Sequence, residues 1–582
     1  MNQAYTPPLD EILFLLDNVI HWSNLLDLPP YTELDRETFT AILSEAAKFA
    51  TRELSPINEI GDDEGCQLLD GRVRPPSAFL RAFRKYVTEG WCSMEIPEEY
   101  GGQRLPLLLG AVISEMNNGA CIAFSMLPCM LRSAAHLLIA HADPDLRDCV
   151  VPHLASGNYS ATIVITEPQA GSDVSRINCR AVEQTDGSFS ITGSKIFISY
   201  GDHNWTDQIL HMVLARTENA GGDSSGLSLF MVPKLNLSSG SPNGVTVIGI
   251  EKKMGLRGSP TCTLEFNGAI GYLIGEQNKG LNCLFTMMNT MRLEVASQST
   301  GIASACLQKA CTYAGFRIQG GAGEEPIQQH ADIRRNLAGM HAETVTIRAL
   351  TYETAINLDK AKHGADELGR RQDLALAEFL LPVCKAWGSD TAFRVANQAL
   401  QVFGGHGYIK DQGIEQYVRD SRALSIYEGT NGIQAQDLVI RKLFKQDAAG
   451  YNQLVSRMKQ TIADATKAGT ASELISHVES TLEGYHRCTA SLLENTRQSI
   501  RFAQAVATPY LELTGLVAGA WMWLRIAATP GTNIAIRNEY ANLSIFYMRY
   551  LLPKAQLLEA QVYAGAELID NCFGSAAPGK SS

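Results

Sequence analysis

A chain of 582 residues with 45% hydrophobic content is too long for a single core and reads as a multidomain globular protein. Its formal charge of −12 and pI near 5.6 argue against a general affinity for nucleic acid or anionic membranes, while leaving room for a local basic pocket. Thirteen cysteines are scattered without a CxxC pair or a His/Cys ligand spacing, which points to packing thiols in a reduced, cytoplasmic setting and to no metal site. The start, MNQAYTPPLDEILFLLDNV, has no basic n-region, and its apolar run ILFLL is too short for a signal peptide.

Residues 1–160 read as a mostly helical domain. In TAILSEAAKFATREL, Ile42, Leu43, Ala46, Ala47 and Phe49 fall at helical spacing. GWCSMEIPEEYGGQRLP is a loop marked by Pro97, Gly101 and Gly102. The following AVISEMNNGACIAFSMLPCML is apolar, with small residues and methionines, and reads as core. From residue 161 the period changes. ATIVITEP is a β-rich run ending in Pro168, Phe189 and Ile191 alternate, as do Ile196 and Ile198, and QILHMVLA, LSLFMVP and GVTVIGI add strands. Asp186-Gly187 and NAGGDSSG are turn signals between them. The sequence thus predicts an all-β domain over 161–275, its pattern ending near Asn267. No GxGxxG follows a strand, so nothing supports nicotinamide binding on a Rossmann unit.

From Leu281 the helical period returns. Ala392, Val395, Ala396, Ala399, Val402 and Phe403 trace an i, i+3, i+4, i+7 stripe, predicting a helix packed into a bundle within residues 276–444. Residues 445–582 continue helical, with a break at Thr529-Pro530-Gly531 and 12 Lys/Arg against 11 Asp/Glu. That balance suits a packed accessory domain better than a nucleic-acid arm. Leu513 to Leu524 is too short to span a bilayer and reads as a buried helix. The end, SAAPGKSS, is expected to be disordered.

The most informative stretch is YVRDSRALSIYEGTNGIQAQDL, residues 417–438. Glu428 emerges from apolar Leu424 and Ile426 into Gly429-Thr430, with Asn431 and Gln434 beyond. A carboxylate so placed can act as a general base if water is excluded from it, and the glycine lets backbone donors approach a ligand. The same residue can also serve simply as a solvated cap at a segment end. Upstream, IVITEPQAGS runs a strand into a Pro/Gly loop where small groups leave a flat heterocycle unobstructed.

These two stretches, with GGHGYIKDQGIEQYVRD, resemble the flavin-dependent acyl-CoA dehydrogenase family over roughly residues 40–445, closest to a longer bacterial branch with a C-terminal helical extension. The resemblance implies an α+β fold: an N-terminal helical domain, a middle β-barrel or sandwich, a C-terminal four-helix bundle, and an added helical domain over 445–582. It implies FAD as cofactor. Ile163, Ile165, Thr166 and Gly171 would lie along the flavin, with Ser172 near the CoA thioester arm or the cofactor phosphates. Phe197, Ile198 and Ser199 occupy a triplet that more often opens with Trp; the phenylalanine keeps a stacking surface without an indole donor. Thr430 and Gly432 would also contact the flavin. Arg317 in YAGFRIQG, and Gln401, Gly404 and Gly405 in QVFGGHG, would serve the FAD of a neighbouring subunit, with Phe316 where a charged residue is usual and His406 structural. Asn289 and Arg292 in MMNTMRLEVA would hold CoA, Glu294 standing where the related branch has small residues.

The implied reaction takes an α-proton from an acyl-CoA with Glu428 and passes the β-hydride to flavin N5, with the enolate oxygen held by the Glu428 backbone N–H and a ribityl hydroxyl. Gly429 sits beside the substrate. The product is a trans-2-enoyl thioester, the electrons go to an electron-transferring flavoprotein, and the assembly is a homodimer. Three other readings stand beside it: an acyl-CoA oxidase on the same scaffold, a dehydrogenase of acyl-carrier-protein thioesters, and a non-catalytic DNA-binding flavoprotein. The balanced tail and acidic pI argue against the last.

Overall fold

The alternating apolar pattern after Tyr159 folds into a seven-stranded sheet in our computed structural model, which describes residues 4–217, 224–320, 325–529 and 534–573. The chain divides into two units: residues 4–6 with 45–294, and residues 7–44 with 295 onward. The NAGGDSSG turn, the Pro530-Gly531 break and the SAAPGKSS end lie wholly or partly outside the described residues.

In the amino-terminal unit a small hairpin comes first, β1 (Gln67–Leu69) with β2 (Arg72–Arg74). Asp70 and Gly71 turn it with φ of 52° and 71°, as a type I′ turn requires. The sequence reading places no strand in this helical stretch, although Asp-Gly is itself a hairpin signal. The main strands are β3 (Tyr159–Val164), β4 (Arg180–Glu183), β5 (Phe189–Ser199), β6 (Gln208–Thr217), β7 (Leu227–Pro233), β8 (Val245–Ile250) and β9 (Thr261–Ile274). Their pairing closes on itself, β4–β5–β9–β7–β6–β4, with β3 added to β6 and β8 to β9. Closure removes most free sheet edges. β6 and β7 are buried nearly throughout, so both read as continuous apolar runs rather than alternating ones. β9 runs on to Ile274, beyond the predicted end at Asn267.

The long helix Leu107–His141 of this unit is buried along almost its whole length. It is broken at Cys121, whose φ of −160° and ψ of 91° are not helical, and Pro128 lies further along it. This helix and Ile500–Ala528 are long and apolar enough to cross a membrane by length and composition. Their most apolar windows are 89% and 78% buried within the protein, the pattern of core helices.

The carboxy-terminal unit is helical. Helices Ala331–His363 and Glu367–Phe403 pack side by side, and the predicted stripe from Ala392 to Phe403 is buried. Beyond them come Ala449–Lys467, Ser472–Gln498, Ile500–Ala528, Ile534–Phe546, Lys554–Ala564 and Glu567–Phe573. Ile500–Ala528 presses closely on the bundle because Gly515 offers a notch for the Trp387 ring; a Cβ there would lie 2.5 Å from Trp387 Cδ2.

Candidate active site

Glu428 sits in the carboxy-terminal unit, in the gap between a 3-10 turn (Arg422–Ser425) and the helix Asn431–Gln436. Its φ is 56° and that of Gly429 is 84°, two left-handed residues in succession. Such a conformation in a glutamate costs about 1–3 kcal/mol and persists only where surrounding contacts impose it. Those contacts are present. The fully buried Lys385 donates from Nζ to the Gly429 carbonyl at 2.7 Å and to Asn431 Oδ1 at 3.0 Å. Buried Gln434 donates from Nε2 to the Glu428 carbonyl at 3.1 Å. Asn431 in turn donates from Nδ2 to the Ala386 carbonyl, Ser389 Oγ and Asp390 Oδ1. Thr430 caps the helix, its Oγ1 accepting from the Ile433 N–H at 3.4 Å. Tyr427 donates its hydroxyl to Gln298 Oε1. Glu428, Gly429 and Thr430 are half-buried, while Gly432 and Ile426 are exposed; of the two apolar residues before Glu428, only Leu424 is buried.

Arg317 and the QVFGGHG segment come together in the same unit. Phe403 stacks on Tyr313 with centroids 4.2 Å apart, and the Tyr313 hydroxyl lies 3.2 Å from His406 Nδ1. Tyr313 lies on the helix Gly280–Phe316, and Arg317 follows directly on it and is half-buried. Gln401, Gly404 and Gly405 are exposed, and a Cβ at either glycine would meet nothing within 4 Å. Gly404 ends its helix at φ 60°. Phe316, Ile318, Tyr408 and Ile409 are large apolar residues left exposed, Tyr408 at 85%.

In the amino-terminal unit, IVITEPQAGS leaves β3 and turns at Glu167. Glu167 is buried and paired with fully buried Lys195 at 2.9 Å. Its carboxylate also accepts from the N–H groups of Asn178 and Cys179, at 2.8 and 3.0 Å. Burial opposes its ionisation, but Lys195 and these N–H donors outweigh that and hold the pKa below the ordinary carboxylate range. Lys195 donates further to the carbonyls of Ile165 and Leu214, both at 2.8 Å. The loop is therefore fastened from inside the barrel, with Ile163, Ile165 and Thr166 half-buried and Gly171 and Ser172 exposed. The β5–β9 register slips between Lys195 and Ile198, and within that bulge Phe197 takes φ 62° and is 58% exposed. Ile198 is buried in the core, and Ser199 is half-buried.

Asn289 is half-buried and Arg292 buried on the helix Gly280–Phe316. The unusual Glu294 has a partner: Arg132 Nη2 lies 2.8 Å from its carboxylate. Asn118 Nδ2 donates to it at 3.1 Å, and Ser114 also donates to it. The buried Glu294 is thus matched by a buried arginine from Leu107–His141.

Sequence reasoning does not identify Lys385, Lys195, Glu167, Asn431 or Gln434 as the groups that fasten these two loops. The available signal is a lysine inside an apolar run, as in LLPVCKAWG, since a charge is buried only with partners.

Family models match four successive stretches of the chain: acyl-CoA dehydrogenase N-terminal domain over 36–158, middle domain over 162–269, C-terminal domain over 278–443, and an acetyl-CoA dehydrogenase C-terminal-like domain over 454–570. The chain is 37% identical to a 3-methylmercaptopropionyl-CoA dehydrogenase of Ruegeria pomeroyi, over 89% of this chain and 90% of that one. Among solved structures, Caenorhabditis elegans ACDH-11 in complex with C11-CoA superposes with a TM-score of 0.81 at 20% identity, covering 99% and 96% of the two chains. An acyl-CoA dehydrogenase from Bacillus anthracis complexed with FAD gives 0.77 at 20% identity, covering 93% and 90%.

Proposed function

Because the chain belongs to the acyl-CoA dehydrogenase family, we propose that it desaturates an acyl-CoA thioester between its α and β carbons, with Glu428 as the base. It is an oxidoreductase that uses FAD. The residues present fit that cofactor. Phe197 offers an exposed aromatic face from a strained bulge, the ITEP loop beside it is held by Lys195, and the Cβ positions of Gly171, Gly404 and Gly405 open onto free space. Ile163, Ile165, Thr166, Phe197, Ile198, Ser199, Thr430 and Gly432 are proposed to hold the flavin, and Gly171 with Ser172 the groups that follow it.

FAD, when bound, supplies the acceptor for the β-hydride. The protein's own task is the proton. The Glu428 carboxylate takes it from the α-carbon and carries it until the enoyl thioester leaves. The observation that carries this reading is the left-handed Glu428–Gly429 pair, clamped through its carbonyls by Gln434 and Lys385. A base so fixed loses little freedom on reaching its target. The Glu428 N–H is proposed to donate to the thioester oxygen as charge develops there. Asn289 and Arg292 are proposed to serve the CoA portion.

We extend the proposal to a homodimer in which Arg317, Gln401, Gly404 and Gly405 serve the FAD of the other subunit. The exposed apolar residues beside them, Phe316, Tyr408 and Ile409, support this. The electron acceptor is proposed to be an electron-transferring flavoprotein. In the test, Glu428→Gln protein is purified yellow and mixed anaerobically with a series of acyl-CoA chain lengths. The parent bleaches and the variant keeps its flavin absorbance; bleaching of the variant at the parental rate removes Glu428 from the reaction.

A further inference from the structure

The barrel of the amino-terminal unit holds an ammonium that the proton transfer at Glu428 does not use. Lys195, on β5, is fully buried. Its Nζ donates to the carbonyls of Ile165 and Leu214, at 2.8 Å each, and meets Glu167 Oε1 at 2.9 Å. Neutral bonds already fasten the same loop. The Ile196 N–H donates to the Thr166 carbonyl at 2.9 Å, and the Glu167 and Ala170 N–H groups each donate to the other's carbonyl at 3.0 Å. A charge taken out of water is costly, so its presence among these bonds points to an effect beyond fastening.

The peptide that Lys195 touches has a defined far side. The Ile165–Thr166 link is trans and planar, so its N–H points opposite to its carbonyl. With that carbonyl turned to the buried ammonium, the Thr166 N–H turns away from Lys195. It donates to no acceptor among the described residues. Thr166 is half-buried, and the exposed ring of Phe197 follows directly on Ile196, whose N–H holds the Thr166 carbonyl. A cation on a carbonyl polarises the whole peptide and makes its N–H a stronger donor. Glu167 does not cancel this. Its carboxylate is shared between Lys195, the N–H groups of Asn178 and Cys179, and Gln169 Nε2, whereas the charge in direct contact with the Ile165 carbonyl is the ammonium.

We propose that Lys195 is a positioning residue for the flavin, presenting through the Ile165–Thr166 peptide a strengthened N–H to the carbonyl edge of the isoalloxazine and so favouring the reduced ring over the oxidised one. This rests on the flavin reading above, with Thr166 against the ring. Taking up a hydride adds two electrons and one proton, so the ring gains one negative charge, shared by its carbonyl edge. A donor backed by a cation bonds that charge more strongly than it bonds the neutral ring.

The experiment titrates the FAD-loaded full chain with a chemical reductant against a reference dye, without acyl-CoA. The midpoint potential is then read apart from Glu428, and bleaching of the parent by acyl-CoA, run alongside, tests the dehydrogenase reading on its own. Three variants are compared: Lys195→Met, Glu167→Gln and the double variant Lys195→Met with Glu167→Gln. The double variant leaves no buried charge without its partner and serves where Lys195→Met alone does not fold or hold FAD. Both proteins lacking the ammonium are expected to bind reduced FAD at least about tenfold more weakly relative to oxidised FAD, a fall in midpoint of about 30 mV for two electrons. Glu167→Gln, which keeps the ammonium, stays at or above the parental midpoint. The proposal is overturned if the double variant keeps the parental midpoint. It is equally overturned if Glu167→Gln falls as far as the variants without Lys195, since the pair then only fastens the loop.

Discussion

At the scale of single residues, the proposed base and its clamp cannot be separated. Glu428 and Gly429 both hold positive φ, and a Cβ on Gly429 would lie 2.8 Å from Gln434 Nε2, the very group that bonds the Glu428 carbonyl. The turn is also held by Lys385, a buried ammonium that donates to the Gly429 carbonyl and to Asn431. Removing the ammonium while keeping the stem should let the turn relax without emptying the core. Lys385→Met is therefore expected to lower kcat by about 10²-fold while KM for acyl-CoA and bound FAD change little. Stopped-flow reduction of the flavin checks it. Loss of FAD in parallel with kcat would mean that Lys385 supports the fold at large and not the base.

At the scale of elements, the sequence is most legible where a pattern is local. The strand runs, the breaker loop at Pro97 and the stripe from Ala392 to Phe403 each depend on neighbours within a few turns, and each appears where the pattern puts it. A carboxylate at a glycine turn is equally visible at Glu428. What holds these features is not local. Lys385 reaches Gly429 across 44 residues and Lys195 reaches Ile165 across 30, and no periodicity records either. The same limit hides a polar cluster linking three helices, Leu9–Leu15, Ala331–His363 and Ile534–Phe546. There Glu11 meets His341 at 3.2 Å, Arg348 at 2.9 Å and the Tyr540 hydroxyl at 2.9 Å, and His341 also meets Glu539 at 3.3 Å. Burial opposes the charge on Glu11, yet His341, Arg348 and Tyr540 outweigh it and hold the pKa at about 2. Burial likewise opposes the charge on His341, and its two glutamates raise the pKa to about 9. The raised histidine stabilises the fold fully below its ordinary pKa of about 6.5, and this is lost as pH climbs through 9. The lowered glutamate stabilises above about 4.5, and this is lost as pH falls toward 2. The difference in Tm between the parent and His341→Gln should thus be greatest near pH 4.5–6.5 and shrink toward pH 9 and above. A flat difference across that range would dissociate His341 from the cluster's stability.

At the scale of the whole molecule, the question is whether residues beyond 445 are an appendage or part of one core. Within the carboxy-terminal unit they behave as core. Trp523 is fully buried and donates from Nε1 to Thr346 Oγ1 at 2.8 Å. Gly515 admits Trp387, and a Cβ on Gly519 would fall 2.7 Å from Thr346 Cγ2. Arg525 closes on Glu353, whose carboxylate burial destabilises and Arg525 keeps ionised. Stripping these helices would uncover Trp387 and Thr346 and take from Glu353 the cation that holds it. A chain ending at Ala448 should therefore not yield a smaller working dehydrogenase. It is expected to appear in the insoluble fraction or, if recovered, to melt without a cooperative transition and to lack yellow FAD. Soluble expression, circular dichroism melting and the flavin absorbance of the purified chain check this together. A truncated protein that is soluble, cooperative and bleached by acyl-CoA would make the accessory helices a separable domain, with the bundle faces at Trp387 and Thr346 tolerant of water.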